Sequence, residues 1–211
     1  MPIPSPPATL RTSLRNGLLL ALCLAPAAHA QDYVVDLSQI DPSAILASAG
    51  DVLMRAPDGA IDDLFQATLT ASRSPRDGKL LCTLFDPHAD RSFEGLAATA
   101  NRLGRDSRER FATALTNIAA TGLQQPRQPY DAAGAAKTLR QAGVAAMFLH
   151  DDFMLGMTAD GSDAASRDAR CRSFGWMLDA LKDMPIAQRA AATRLMLNEG
   201  MSQLAPVSRG R

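Results

Sequence analysis

Apolar residues recur along this chain at intervals of three and four positions, the spacing of one face of an α-helix, and hardly ever at intervals of two. Asp41-Pro42 reads as a capping aspartate with proline at the first helical position, and Ile45, Leu46, Ala49 and Leu53 form the face behind it. Pro57-Asp58-Gly59 breaks the pattern, which Ile61, Leu64, Phe65, Thr68 and Leu69 resume. Ser74-Pro75 opens a third segment running toward Cys82 and Phe85. Residues 80–85 also fit a short strand, being almost continuously apolar with Gly78 just before them. Phe93, Leu96, Ala97, Ala100 and Leu103 make the next stripe, ended by Gly104. Asp106 with Glu109 resembles a capping box ahead of Phe111, Leu115, Ile118 and Ala119, and Gly122 is placed to stop that helix.

Two prolines within residues 124–129 mark the clearest loop. Residues 131–150 return to helical spacing with many small side chains, among them Ala135, Gly143 and Ala146, a face that lets a neighbouring helix come close. Residues 152–157 add a turn and 160–163 a loop. Cys171, Phe174, Leu178 and Leu181 line one face of a helix that also holds the only tryptophan, Trp176. Pro185 opens the last helix, with Ile186, Ala190, Thr193, Leu197 and Met201. With strand-type alternation scarce and no fixed-period repeat, the expected fold is all-α. It is one domain over residues 31–205, of about seven or eight short-to-medium helices, with residues 206–211 a disordered polar tail.

The first thirty residues are of another kind. Arg11 and Arg15 precede an apolar run over residues 17–24, then Pro26 and the small-residue site Ala28-His29-Ala30. That is the layout of a secretory signal peptide cleaved after Ala30, and the run falls short of the roughly 20 residues a membrane span needs. The expected location is the periplasm or the outside of the cell, with no transmembrane segment in the mature chain. Removing the leader takes Cys23 and leaves Cys82 and Cys171, which in an oxidising compartment can form only one intramolecular bridge. It also removes two of the 22 basic residues against 22 acidic ones, leaving a slight negative balance. That balance argues against nucleic acid as a partner.

Chemistry is sparsely marked. Asp86, His88 and Asp90 stand together, as do His150, Asp151 and Asp152, and these hold the two histidines of the mature chain. Imidazole with carboxylate suits zinc, iron or manganese, or an acid–base pair, so the six are the candidate metal ligands. The plainer role is structural, with the aspartates capping helices and His150 set against a helix C-terminus. No metal-binding spacing, nucleophile elbow or phosphate loop is present. Arg102, Arg105, Arg108 and Arg110 form a charged surface around a helix junction, either solvated or facing an acidic partner.

The reading that follows is an exported helical protein that binds another protein without catalysis or cofactor, as an accessory, inhibitor or immunity-type factor does. It carries the expectation of an exposed apolar patch or cleft rimmed by those four arginines. The alternatives are a small metal-dependent hydrolase built on His88 and His150, and a lipid or small-ligand carrier lined by Phe148, Phe153, Phe174 and methionines.

Overall fold

Short polar residues set where the helices begin. Ser74 Oγ accepts the Asp77 N–H at 3.3 Å, Asp131 the Ala133 N–H at 2.9 Å and Asp163 the Ser166 N–H at 3.0 Å. A computed structural model describes residues 42–204. The expected leader, the arm before Pro42, the tail, and the side chains of Ile45, Leu46 and Phe93 lie outside the described residues.

The described chain is all-α. Its helices are α1 (Pro42–Arg55), α2 (Asp58–Ser72), α3 (Pro75–Cys82), α4 (Phe93–Arg102), α5 (Arg105–Gln124), α6 (Ala132–Leu149), α7 (Phe153–Thr158), α8 (Ala164–Lys182) and α9 (Ile186–Leu204). A 3-10 turn, Thr83–Phe85, follows α3, so the apolar run at 80–85 is helical and not a strand. The turn expected at 152–157 is a helix of its own, α7.

Two apolar clusters share α2 and α9. Leu53, Ile61, Leu64, Ala114 and Ile118 join α1, α2 and α5, with Ala190 of α9 against them. Phe65, Leu69, Ala142, Leu178 and Leu181 join α2 to α6 and α8, with Ala192 of α9. One helix face cannot serve both sides, so α2 and α9 bury residues around most of their circumference.

That wide burial draws charge inside. Arg194 of α9 is 1 % exposed, and its guanidinium donates to the Leu53 and Ala56 carbonyls and to Asp58 Oδ1 at 2.6 Å, clasping the α1–α2 turn. Arg189 grips buried Asp62 through Nε to Oδ1 at 2.7 Å and Nη2 to Oδ2 at 2.8 Å. Its Nη1 donates to the Lys182 and Met184 carbonyls. Every guanidinium nitrogen of Arg189 and Arg194 and both oxygens of Asp62 meet a partner, as a water-poor interior requires.

Four details depart from the periodicity. Gly122 does not end α5: it is buried inside the helix, where a Cβ would strike the Val52 carbonyl, so it lets α1 and α5 touch. The buried stripe of α5 is Ser107, Ala114, Ile118 and Gly122, while Leu115 and Ala119 face solvent. Asp106 and Glu109 form no capping box. Asp77 of α3 caps α5 instead, accepting the Gly104 N–H at 2.9 Å and the Ser107 hydroxyl at 2.6 Å, while Glu109 pairs with Arg105. Ile186 is also exposed, because α9 turns its first residue outward and buries Ala190, Thr193 and Arg194. The Cys82–Cys171 disulfide forms as expected, tying the end of α3 to α8 with the Cα atoms 5.2 Å apart.

Candidate functional site

Of the candidate metal ligands, Asp86, Asp90 and His150 take part in local structure. Asp86 Oδ1 accepts the His88 N–H at 3.0 Å, and Asp90 Oδ1 the Ser92 N–H at 2.9 Å, while Ser92 itself caps α4. The His88 N–H, aided by Arg167 and the charge of Arg170, holds the Asp86 carboxyl below the ordinary range. His150 closes α6, its N–H donating to the Ala146 carbonyl, and its ring stacks on Trp176 with centroids 4.3 Å apart and planes within 7°. Asp151 and Asp152 are exposed, and Asp152 precedes α7 without a side-chain cap bond. Among the described residues, no group of three His, Cys, Asp or Glu side chains is placed to hold a metal ion.

The four arginines do not rim an apolar face. Arg105 pairs with Glu109 at 3.0 Å, and Arg108 donates to the Asn101 carbonyl. The Arg102 carbonyl receives Arg76. Arg110 lines a furrow between α2 and α5 that also holds Asp63, Asp106 and Glu109, so both signs of charge meet there.

The apolar face lies at the other side of the fold sequence, on α6, α7 and α8. Small residues explain why it is open. α6 spends Ala135, Ala142 and Ala146 on close packing, which leaves Leu139, Gly143, Val144 and Met147 on its adjoining face. α7 lies tightly on α8, since a Cβ on Gly156 would collide with the Ala169 carbonyl and Ser173 Oγ. Ser173 locks that contact by donating to the Phe153 carbonyl at 2.8 Å. Between these helices runs a groove of about 730 Å³. Phe153, Met154 and Met157 wall it from α7, and Phe174 and Met177 from α8. Phe85 lines it too and packs on Phe174, with centroids 4.6 Å apart.

Among the described residues, only two charged ones line this groove, Arg140 and Arg170, and no acid does. Arg140 is exposed on α6. Arg170 is anchored through Nη1, which donates to the Ala159 carbonyl at 3.1 Å and the Gly161 carbonyl at 2.8 Å. Its Nε and Nη2 are shielded from solvent and have no hydrogen-bond partner among the described residues. On the same helices but outside the groove lining, Phe148 is 81 %, Leu149 74 % and Leu155 59 % exposed. Phe153 and Phe174 thus line the groove as a carrier requires, whereas Phe148 stands outside it.

Reasoning from sequence singled out the methionines and phenylalanines but not Arg170. Its signal was available: positions 170, 173, 174 and 177 share one helical face, so the arginine falls in line with the groove-facing residues of α8. Compared with known protein families, with curated proteins and with solved structures, the chain finds no match. Function is therefore argued from the groove.

Proposed function

We propose that this is an exported binding protein whose groove between α6, α7 and α8 takes an elongated apolar ligand. One observation carries the reading: a groove of about 730 Å³ walled by phenylalanine and methionine, with charge supplied only by Arg140 and Arg170. That volume and that lining are typical of small-ligand sites, where apolar walls supply affinity and a few polar groups set orientation. Each ligand methylene buried there contributes about 0.8 kcal/mol. The unbranched, polarisable methionine side chains adapt to a chain of varying shape.

The test is binding of the neutral dye N-phenylnaphthylamine, read by its fluorescence, to the protein and to Gly143→Phe. A Cβ at Gly143 meets only Met177 Cε at 3.5 Å, an ordinary contact, so the new ring enters the groove without disturbing α6. The dye is expected to bind the parent protein and to lose about tenfold in affinity on the variant. Equal binding to a folded Gly143→Phe protein would sink the reading.

A second reading, docking of another protein, draws on Phe148, Leu149 and Leu155, which stand in solvent beyond the groove walls. Phe148→Glu with Leu149→Glu separates the two. Dye binding survives that change if the groove is the site, and falls with it if the outer face is.

A further inference from the structure

We propose that Arg170 receives a carboxylate, so that the ligand of the α6–α8 groove is a carboxylate amphiphile of the fatty-acid kind. The inference rests on the groove reading above and adds the head group to it. Its basis is an internal comparison of two arginines. In Arg189, Nη1 is held by the Lys182 and Met184 carbonyls, while Nε and Nη2, which form one edge of the guanidinium, grip both oxygens of Asp62. Arg170 is held in the same way, Nη1 on the Ala159 and Gly161 carbonyls. The corresponding edge, Nε with Nη2, has no partner.

A guanidinium edge presents two parallel N–H groups at the spacing of the two oxygens of a carboxylate. Here the edge belongs to a residue that lines the groove, and among the described residues no carboxylate lines the groove with it. Asp86 lies within electrostatic reach of Arg170 but spends Oδ1 on the His88 N–H and Oδ2 on Arg167 at 3.3 Å. Shielded, unpaired donors on a cation are costly, and a ligand carboxylate removes that cost while its hydrocarbon body fills the apolar trough. Because the edge is closed to water, a ligand head reaches it only as neighbouring side chains shift. Met154, Met157 and Met177 line the same groove and shift at little cost. A single arginine edge suits one planar monoanion. Arg140 is exposed on α6 and adds a general positive field without a closed site.

The experiment uses the disulfide-bonded protein with N-phenylnaphthylamine bound, displaced by laurate below its micelle-forming concentration and by dodecanol below its solubility limit. The two share a hydrocarbon chain and differ in the head. Laurate is expected to displace the dye at least about tenfold more tightly than dodecanol. That ratio should fall to near one in Arg170→Gln, recover in part in Arg170→Lys, which keeps charge but loses the fork, and stay within about twofold in Arg140→Gln. Equal displacement by the two ligands on the parent protein overturns the carboxylate assignment while leaving the groove reading intact. So does a laurate preference that survives Arg170→Gln or that vanishes in Arg140→Gln. Failure of the dye and both ligands to bind at all overturns the groove reading and this inference with it. The comparison on the parent protein needs no variant, so it decides the matter even if Arg170→Gln fails to fold.

Discussion

Arg189 and Arg170 place the same chemical group in two regions built on opposite terms. Around Arg189 and Arg194 the helices α1, α2 and α9 close over their charges: Asp62, Asp58 and four backbone carbonyls meet the two guanidinium groups. Around Arg170, α6, α7 and α8 leave a groove that apolar side chains face, and among the described residues two guanidinium nitrogens have no partner. The first region shows that this chain can satisfy a buried arginine completely. The second therefore marks a place where self-satisfaction has been given up, and departures of that kind concentrate at functional sites. Small residues make the difference physical. Ala135, Ala142 and Ala146 bring α6 close to its neighbours on one face, and Gly156 brings α7 onto α8, so the groove is what remains between two tight contacts.

The largest expected effect concerns the link between the regions. The disulfide closes a loop with a sequence separation of 89, from α3 to the groove helix α8. Replacing Cys82 and Cys171 together by alanine should cost about 4 kcal/mol in urea unfolding, because the unfolded chain regains the entropy of that loop. A cost near zero would mean that packing of α8 alone holds the groove wall in place.

The next effect tests the comparison itself. Arg194→Met strands the Leu53 and Ala56 carbonyls in the core and should cost about 3 kcal/mol. Arg170→Met removes two bonds to loop carbonyls together with two donors that had no partner, and should cost under about 1 kcal/mol. Chemical unfolding of both variants under one set of conditions gives the contrast. Equal losses would show that Arg170 is as structural as Arg194 and erase the distinction between the regions.

How much of this was legible beforehand follows from what periodicity encodes. The α2 and α8 stripes were readable because Ile61, Leu64, Phe65 and Leu69, and likewise Leu178 and Leu181, are large residues at helical spacing. The disulfide was readable because two cysteines leave one pairing. Arg194 and Asp62 were not readable: a charged residue on an apolar stripe looks like an interruption until its partner, more than a hundred positions away, is brought to it. Gly122 was misjudged for a related reason. Glycine at a helix end and glycine at a helix crossing have the same sequence signature, and only the nearness of Val52 tells them apart. The groove fell between the two cases. Its methionines were visible as a group, but nothing in their spacing said that α6, α7 and α8 would not close over them.

A smaller loss than those at the disulfide and Arg194 is expected at Asp77, which belongs to the closed kind of region, its carboxylate used on two donors of another element. The Ser107 hydroxyl and then the Gly104 N–H, with help from Arg76, outweigh burial and hold its pKa below the ordinary aspartate value of about 3.9. A depressed folded value means that the charged form adds stability above the unfolded value, and that this contribution fades as pH falls through the folded one. Asp77→Asn should therefore cost about 1–2 kcal/mol near pH 7, a loss set by the capping bond and the hydroxyl bond together. The gap between the two proteins should narrow as pH falls below the ordinary aspartate value and keep shrinking as pH passes through the lower folded one. Thermal unfolding across that range reads the gap directly. If it stays constant from neutral to acid, the negative charge is not what joins α3 to α5, and the amide's loss must come from shape alone.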